Sequence, residues 1–141
     1  MSWPAKPLPP LGMKGGPWGR NVGASAQVKQ ALVAAGLSTP LVVCGGIATL
    51  AQAEAILEKN EADIVASARQ SLADPDWLLK LRLGQGAAIR RCLFTNYCEG
   101  LDQSHQAVTC QLWDRVKGLP DDETVLRSAD RRRLLAPSWE R

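Results

Sequence analysis

No apolar run in this sequence approaches the roughly 20 residues needed to cross a bilayer, so no membrane partner is expected. The N-terminus also lacks the apolar core of a secretory leader, since Lys6 and Lys14 stand there with no hydrophobic stretch beside them. Histidine is represented once, by His105, and no glycine-x-serine-x-glycine elbow occurs, which removes support for a hydrolase triad. Excess charge is slight. The formal net charge is +3, and the basic cluster Arg131–Arg133 has no interleaved aromatics, so it reads as solvated tail and no nucleic-acid partner is expected. The four cysteines, Cys44, Cys92, Cys98 and Cys110, form no C-x2-C knuckle. Without a leader they point to a reducing cytoplasm, as free, metal-bound or buried thiols and not as a disulfide framework.

What is present is an ordinary globular composition, 45% hydrophobic and 22% charged, in 141 residues that suffice for one domain with a core. Residues 1–23 stand apart. Pro4, Pro7, Pro9, Pro10 and Pro17 exclude regular helix or central strand, and this stretch is expected to be a Pro/Gly-rich loop or disordered. Residues 24–114 form the patterned part, and 115–141 a polar, charged tail in which Asp121, Asp122 and Glu123 read as solvated acids.

Within the patterned part, Ser25 is expected to cap a helix that buries Val28, Leu32 and Ala35 and stops at Gly36. An apolar strand, Leu41–Cys44, follows. Thr49 and Gln52 make a capping box for a helix running to about Lys59, with Leu50, Ala53, Ile56 and Leu57 on its buried face and Asn60 as a left-handed terminator. Ala62–Ala66 reads as a second strand. Asp74 is expected to cap a third helix with Pro75 in its first turn, closing near Gly84. Neither strand alternates polar and apolar residues, which predicts burial on both faces and a parallel α/β sheet. Two parallel strands do not make a stable sheet, so the pattern reads as part of a barrel.

The glycine pair Gly45-Gly46 follows the first strand directly and precedes a helix, an arrangement that lets backbone amides approach a phosphate closely. The plainer alternative is that these glycines only turn the chain. Three further motifs accompany it: Ala62-Asp63-Ile64-Val65 with Ala68-Arg69, Leu72-Ala73-Asp74-Pro75-Asp76-Trp77, and Cys92-x-x-Thr95-Asn96-Tyr97-Cys98-Glu99. In this order and spacing, the run from Val42 to Asp114 resembles the C-terminal end of the old yellow enzyme family, FMN-dependent NADH:flavin oxidoreductases built on a TIM barrel. Residues 1–35 resemble only loosely the loop and helix that follow the sixth strand of such barrels.

The resemblance implies a partial TIM barrel, the last two βα units with strands seven and eight, where this fold often keeps its phosphate site. It further implies FMN as cofactor and NAD(P)H as hydride source, with an activated alkene or similar acceptor. In the family the loops after these strands hold the FMN phosphate, which carries over to Gly45, Gly46, Ala68 and Arg69; Arg69 could instead be a solvated surface residue. A complete barrel has eight βα units in about 250 residues. The groups that contact the flavin ring and substrate come largely from its earlier strands, so no catalytic residue is assigned and the chain is expected to be inactive alone. Exposed strand edges would allow self-association. Leu72–Trp77 is read as structure, with Trp77 packing its helix.

Cys92, Cys98, His105 and Cys110 offer a competing, non-catalytic reading as an interaction or zinc-binding module, with spacing C-x5-C-x6-H-x4-C. Unliganded thiols and a surface histidine are the simpler account. Some relatives of the family carry an iron–sulfur cluster on a run here that begins C-x2-C. In this chain Thr95 stands where the second cysteine of that run would fall, which speaks against a four-cysteine cluster.

Overall fold

A computed structural model describes residues 18–116 and 125–139. The prolines of 1–17 and the acids Asp121, Asp122 and Glu123 lie outside the described residues. Those described fall into two compact units, one of residues 18–68 and one of residues 69–139.

The first unit runs α1 (Val22–Ala34), β1 (Val42–Cys44), α2 (Leu50–Glu58), β2 (Ile64–Ala66). The strands pair in parallel, Val42 with Ile64, Val43 with Val65 and Cys44 with Ala66, so the loops that follow them leave the sheet at one end. Val43, Ile47, Ile56 and Ala62 form the core, flanked by Val22, Ala53 and Val65. Asp63 ties the entrance of the sheet together. Its carboxylate accepts from Lys29 Nζ on α1 at 2.6 Å and from the Leu41 amide at 2.8 Å. The Lys29 bond first, and then the Leu41 amide, hold this carboxyl below its usual pKa.

Several sequence expectations are corrected here. The strands are not buried on both faces: Val43 is 1% exposed, but Val42 is 53% and Ile64 51% exposed. Among the described residues the sheet has two strands, and Val42 and Ile64 are about half exposed on its second face. The first helix starts at Val22 and not after a Ser25 cap, because the Ser25 amide already bonds the Asn21 carbonyl at 2.9 Å within the first turn. That helix buries none of its residues fully. Leu50 and Leu57 are exposed, which leaves α2 a narrower apolar face centred on Ile56. The capping box forms with its reciprocal bond moved one residue upstream of the Thr49 cap, to Ala48. The Gln52 amide donates to Thr49 Oγ1 at 3.2 Å, and Gln52 Oε1 accepts from the Ala48 amide at 3.2 Å. Asn60, with φ +53°, ends the helix in the left-handed conformation.

The second unit follows from α3 (Ala68–Ala73), whose first residue closes the first unit. It contains α4 (Trp77–Arg82), a 3-10 turn (Gly86–Ala88) and α5 (Tyr97–Gln103), and an isolated antiparallel bridge pairs Arg127 with Arg133. The helix expected to be capped by Asp74 begins instead after Asp76. Asp74 is fully buried and works as a hub. Oδ2 accepts from Lys80 Nζ at 2.6 Å and from the Arg90 amide at 2.8 Å, and Oδ1 from the Asp76 amide at 3.2 Å. Lys80 also donates to the Ala88 carbonyl and lies over the Trp139 ring. Trp77 is buried, with Nε1 bonded to Ser71 Oγ.

The basic cluster is not solvated throughout. Arg131 is exposed, while Arg132 and Arg133 are buried. Arg132 can be buried because its guanidinium is matched by the Ala107 carbonyl, Thr109 Oγ1, Gln106 Oε1 and the Asp130 carboxylate.

Candidate functional site

In the first unit the site begins where β1 ends. Gly45 (φ +120°) and Gly46 (φ +72°) turn the chain through conformations that side chains rarely adopt. A Cβ on Gly45 would stand 2.7 Å from Asn21 Nδ2, which itself donates to the Cys44 carbonyl at 2.8 Å. Packing therefore accounts for glycine at position 45. The carbonyls of the turn are used: Gly46 O accepts from the Gly19 amide and Gln52 Nε2, and Ile47 O from the Ser67 hydroxyl. The last of these bonds ties the loop after β2 to the loop after β1. Among the described residues nothing accepts from the amides of Gly46 and Ile47, though both residues are buried. Buried donors require an acceptor, and an anion would fit that donor set.

In the second unit Arg69 lies in the first turn of α3, and its guanidinium is held on two sides. The carbon Cζ stands 4.8 Å from the Phe94 ring centroid, and Nη1 donates to Asn96 Oδ1 at 2.6 Å. Phe94 (φ +53°) and Asn96 (φ +61°) both have left-handed backbones on either side of Thr95. Asparagine tolerates that conformation; phenylalanine adopts it only at a cost in strain. The segment is fastened from beneath by buried Gln70, which donates to the Arg90 carbonyl and accepts from the Cys92 amide, both at 2.9 Å.

Arg69, Leu72, Phe94, Tyr97 and the thiols Cys92, Cys98 and Cys110 line one shallow, open cleft within this unit. Burial raises the Cys92 thiol and pushes the Cys110 thiol up to about 11, with neighbouring Cys92 and Cys98 adding to the effect on Cys110. Burial, and then a hydrogen bond to Asp114, raise the Tyr97 phenol, whose hydroxyl donates to Asp114 Oδ2 at 2.6 Å. Thr109 Oγ1 donates to the same carboxylate oxygen, while Asp114 Oδ1 is buried without a hydrogen-bond partner among the described residues.

Gly45, Gly46 and Ala68 thus lie in the first unit at the exits of β1 and β2, and Arg69 opens the second unit. The zinc reading is corrected. Three of its four residues line the cleft, but His105 does not, and the described residues contain no group of three or more His, Cys, Asp or Glu suited to a metal ion. His105 is exposed on the left-handed turn that ends α5, which carries it away from the thiols. Sequence reasoning missed Ser67, Phe94 and Asn96. Asn96 had a usable signal, because asparagine favours left-handed backbone; a phenylalanine there gives none.

Two paired parallel strands joined through a helix, with a glycine turn at the exit of β1, define an α/β fold with few strands. The chain belongs to the NADH:flavin oxidoreductase / NADH oxidase family, whose family model matches residues 15–87. It is 33% identical to the bilirubin reductase of Mediterraneibacter gnavus over 110 residues, which are 77% of this chain and 16% of that protein. It is 38% identical to the metal reductase of Desulforamulus reducens over 69 residues, 49% of this chain and 10% of that protein. The chain therefore spans about a sixth or less of the length of these curated relatives. In fold it is similar to the solved 6-hydroxypseudooxynicotine amine oxidase of Pseudomonas geniculata N1. The TM-score there is 0.62 at 22% identity, covering 81% of this chain and 17% of the other.

Proposed function

We propose that this chain is the FMN-phosphate-binding part of an NADH:flavin oxidoreductase, with β1 and β2 as strands seven and eight of a (β/α)8 barrel. The observation that carries this reading is the pair of buried amides of Gly46 and Ile47, for which no described residue supplies an acceptor, in a glycine turn tied by Ser67 to the neighbouring strand exit. Gly45, Gly46 and Ala68 would offer backbone to the phosphate, and Arg69, the next residue in the chain, would offer charge. FMN, when bound, supplies the hydride chemistry, taking hydride from NAD(P)H and passing it to an activated alkene or similar acceptor. The chain's own residues fasten the phosphate end, and no residue here is assigned to the acceptor. The four free thiols agree with a reducing, cytoplasmic setting.

On this reading the polypeptide alone binds flavin through its phosphate and does not turn over. The check is to purify the chain with added FMN and measure bound flavin and NADH consumption. Flavin without turnover is the expected result. Stoichiometric flavin with steady NADH oxidation would overturn the truncated reading, and no flavin at any concentration would overturn FMN binding by this chain.

A further inference from the structure

We propose that Phe94 and Asn96 are positioning residues for Arg69, holding its guanidinium ready for the phosphate of FMN. This rests on the assignment of Arg69 to that phosphate and deepens it. A free arginine has several rotatable bonds and loses that freedom on binding an anion. Here the freedom is removed beforehand. The Phe94 ring supports one face of the guanidinium at 4.8 Å, and Asn96 Oδ1 takes one Nη1 hydrogen at 2.6 Å. Asn96 occupies a single donor, so the other N–H groups keep the planar fork that matches phosphate oxygens.

Two features suggest that the segment is built for this contact. Within 92–98 the left-handed residues are Phe94, which is strained there, and Asn96, and both touch Arg69. Backbone strain of this kind persists where the surroundings over-determine it, and it concentrates at ligand clamps. Gln70, the residue after Arg69, bonds the backbone at Arg90 and Cys92, so the helix carrying the arginine and the segment carrying its supports are fastened together. The Asn96 carbonyl group is neutral, which orients the cation without cancelling the charge that phosphate would meet, as an aspartate would.

The test uses the full chain titrated with FMN and with riboflavin, which lacks the phosphate, by flavin fluorescence. Asn96→Gly is the informative variant, because glycine keeps the left-handed backbone and deletes only the side chain. Phe94→Leu keeps apolar bulk and removes the ring face. Circular dichroism verifies that each variant folds. We expect Asn96→Gly to weaken FMN about tenfold, to leave riboflavin unchanged, and to have no further effect once Arg69→Ala is present. Phe94→Leu should show the same selectivity with a smaller loss. If Arg69→Ala weakens FMN while Asn96→Gly does not, or if their effects add, the positioning role is overturned and the phosphate assignment of Arg69 stands. If Arg69→Ala leaves FMN and riboflavin as the wild type has them, or the wild type does not prefer FMN, the assignment of Arg69 fails and the positioning role falls with it.

Discussion

Asp74 shows how much a single side chain can decide. The sequence placed it as the cap of a helix beside Pro75, but that helix begins after Asp76, and the Asp74 carboxylate is turned inward to a lysine and a backbone amide. With Lys80 2% and Asp74 0% exposed, the pair cannot shed its charges into water. Asp74→Ala would leave an ammonium buried against an aromatic ring, and we expect a loss of about 3–5 kcal/mol in urea denaturation. Cys110 makes a second residue-scale prediction. With its thiol pushed up to about 11, only about one molecule in a thousand is thiolate at pH 8. Iodoacetamide followed by mass spectrometry should label exposed Cys44 first, and Cys110 only as the pH climbs toward 11. The sign follows from proton binding. The folded chain keeps this proton to a higher pH than an unfolded thiol of ordinary value 9.0, so its contribution to stability is whole below about 9 and fades between 9 and 11. Burial of this thiol was not legible in the sequence, because nothing local to residue 110 records what packs over it.

At the scale of elements, some local signals were read correctly, the Ser25 and Asp74 caps were not, and the faces were read poorly. The Thr49–Gln52 box and the Asn60 terminator depend on residues within one turn of each other, and both formed. The exit of β1 was found through Gly45 and Gly46 for the same reason. Gly45→Ala should lower the melting temperature, since the added Cβ meets Asn21 at 2.7 Å in a backbone conformation that disfavours alanine, at a cost of about 1–3 kcal/mol. A scanning fluorimetry melt equal to wild type would refute this. The faces of β1 and β2 were misread because an apolar strand reports its tendency to be buried, not the presence of a covering layer. Helix α5 and the short α3 escaped notice since neither is long enough to show a periodic pattern.

At the scale of the whole molecule, the chain corresponds to about 16% of the bilirubin reductase it matches and 17% of the amine oxidase it resembles in fold. Val42 and Ile64 present apolar side chains on one face of a two-stranded sheet, and each strand has one unpaired edge among the described residues. We therefore propose that the isolated chain associates with itself through these edges. Light scattering should give a mass above 15.2 kDa that rises with concentration, and a monomer throughout would refute it. The sequence by itself determined the helix–strand–helix–strand order of the first unit, its glycine turn and Asn60 terminator, and a motif succession specific enough to fix the family, because these follow from neighbours along the chain. Only tertiary structure decided that Asp74 pairs with Lys80, that Arg132 is buried, and that Phe94 and Asn96 hold Arg69. Those contacts join residues 6 to 27 positions apart, and distance along the chain does not determine distance in space.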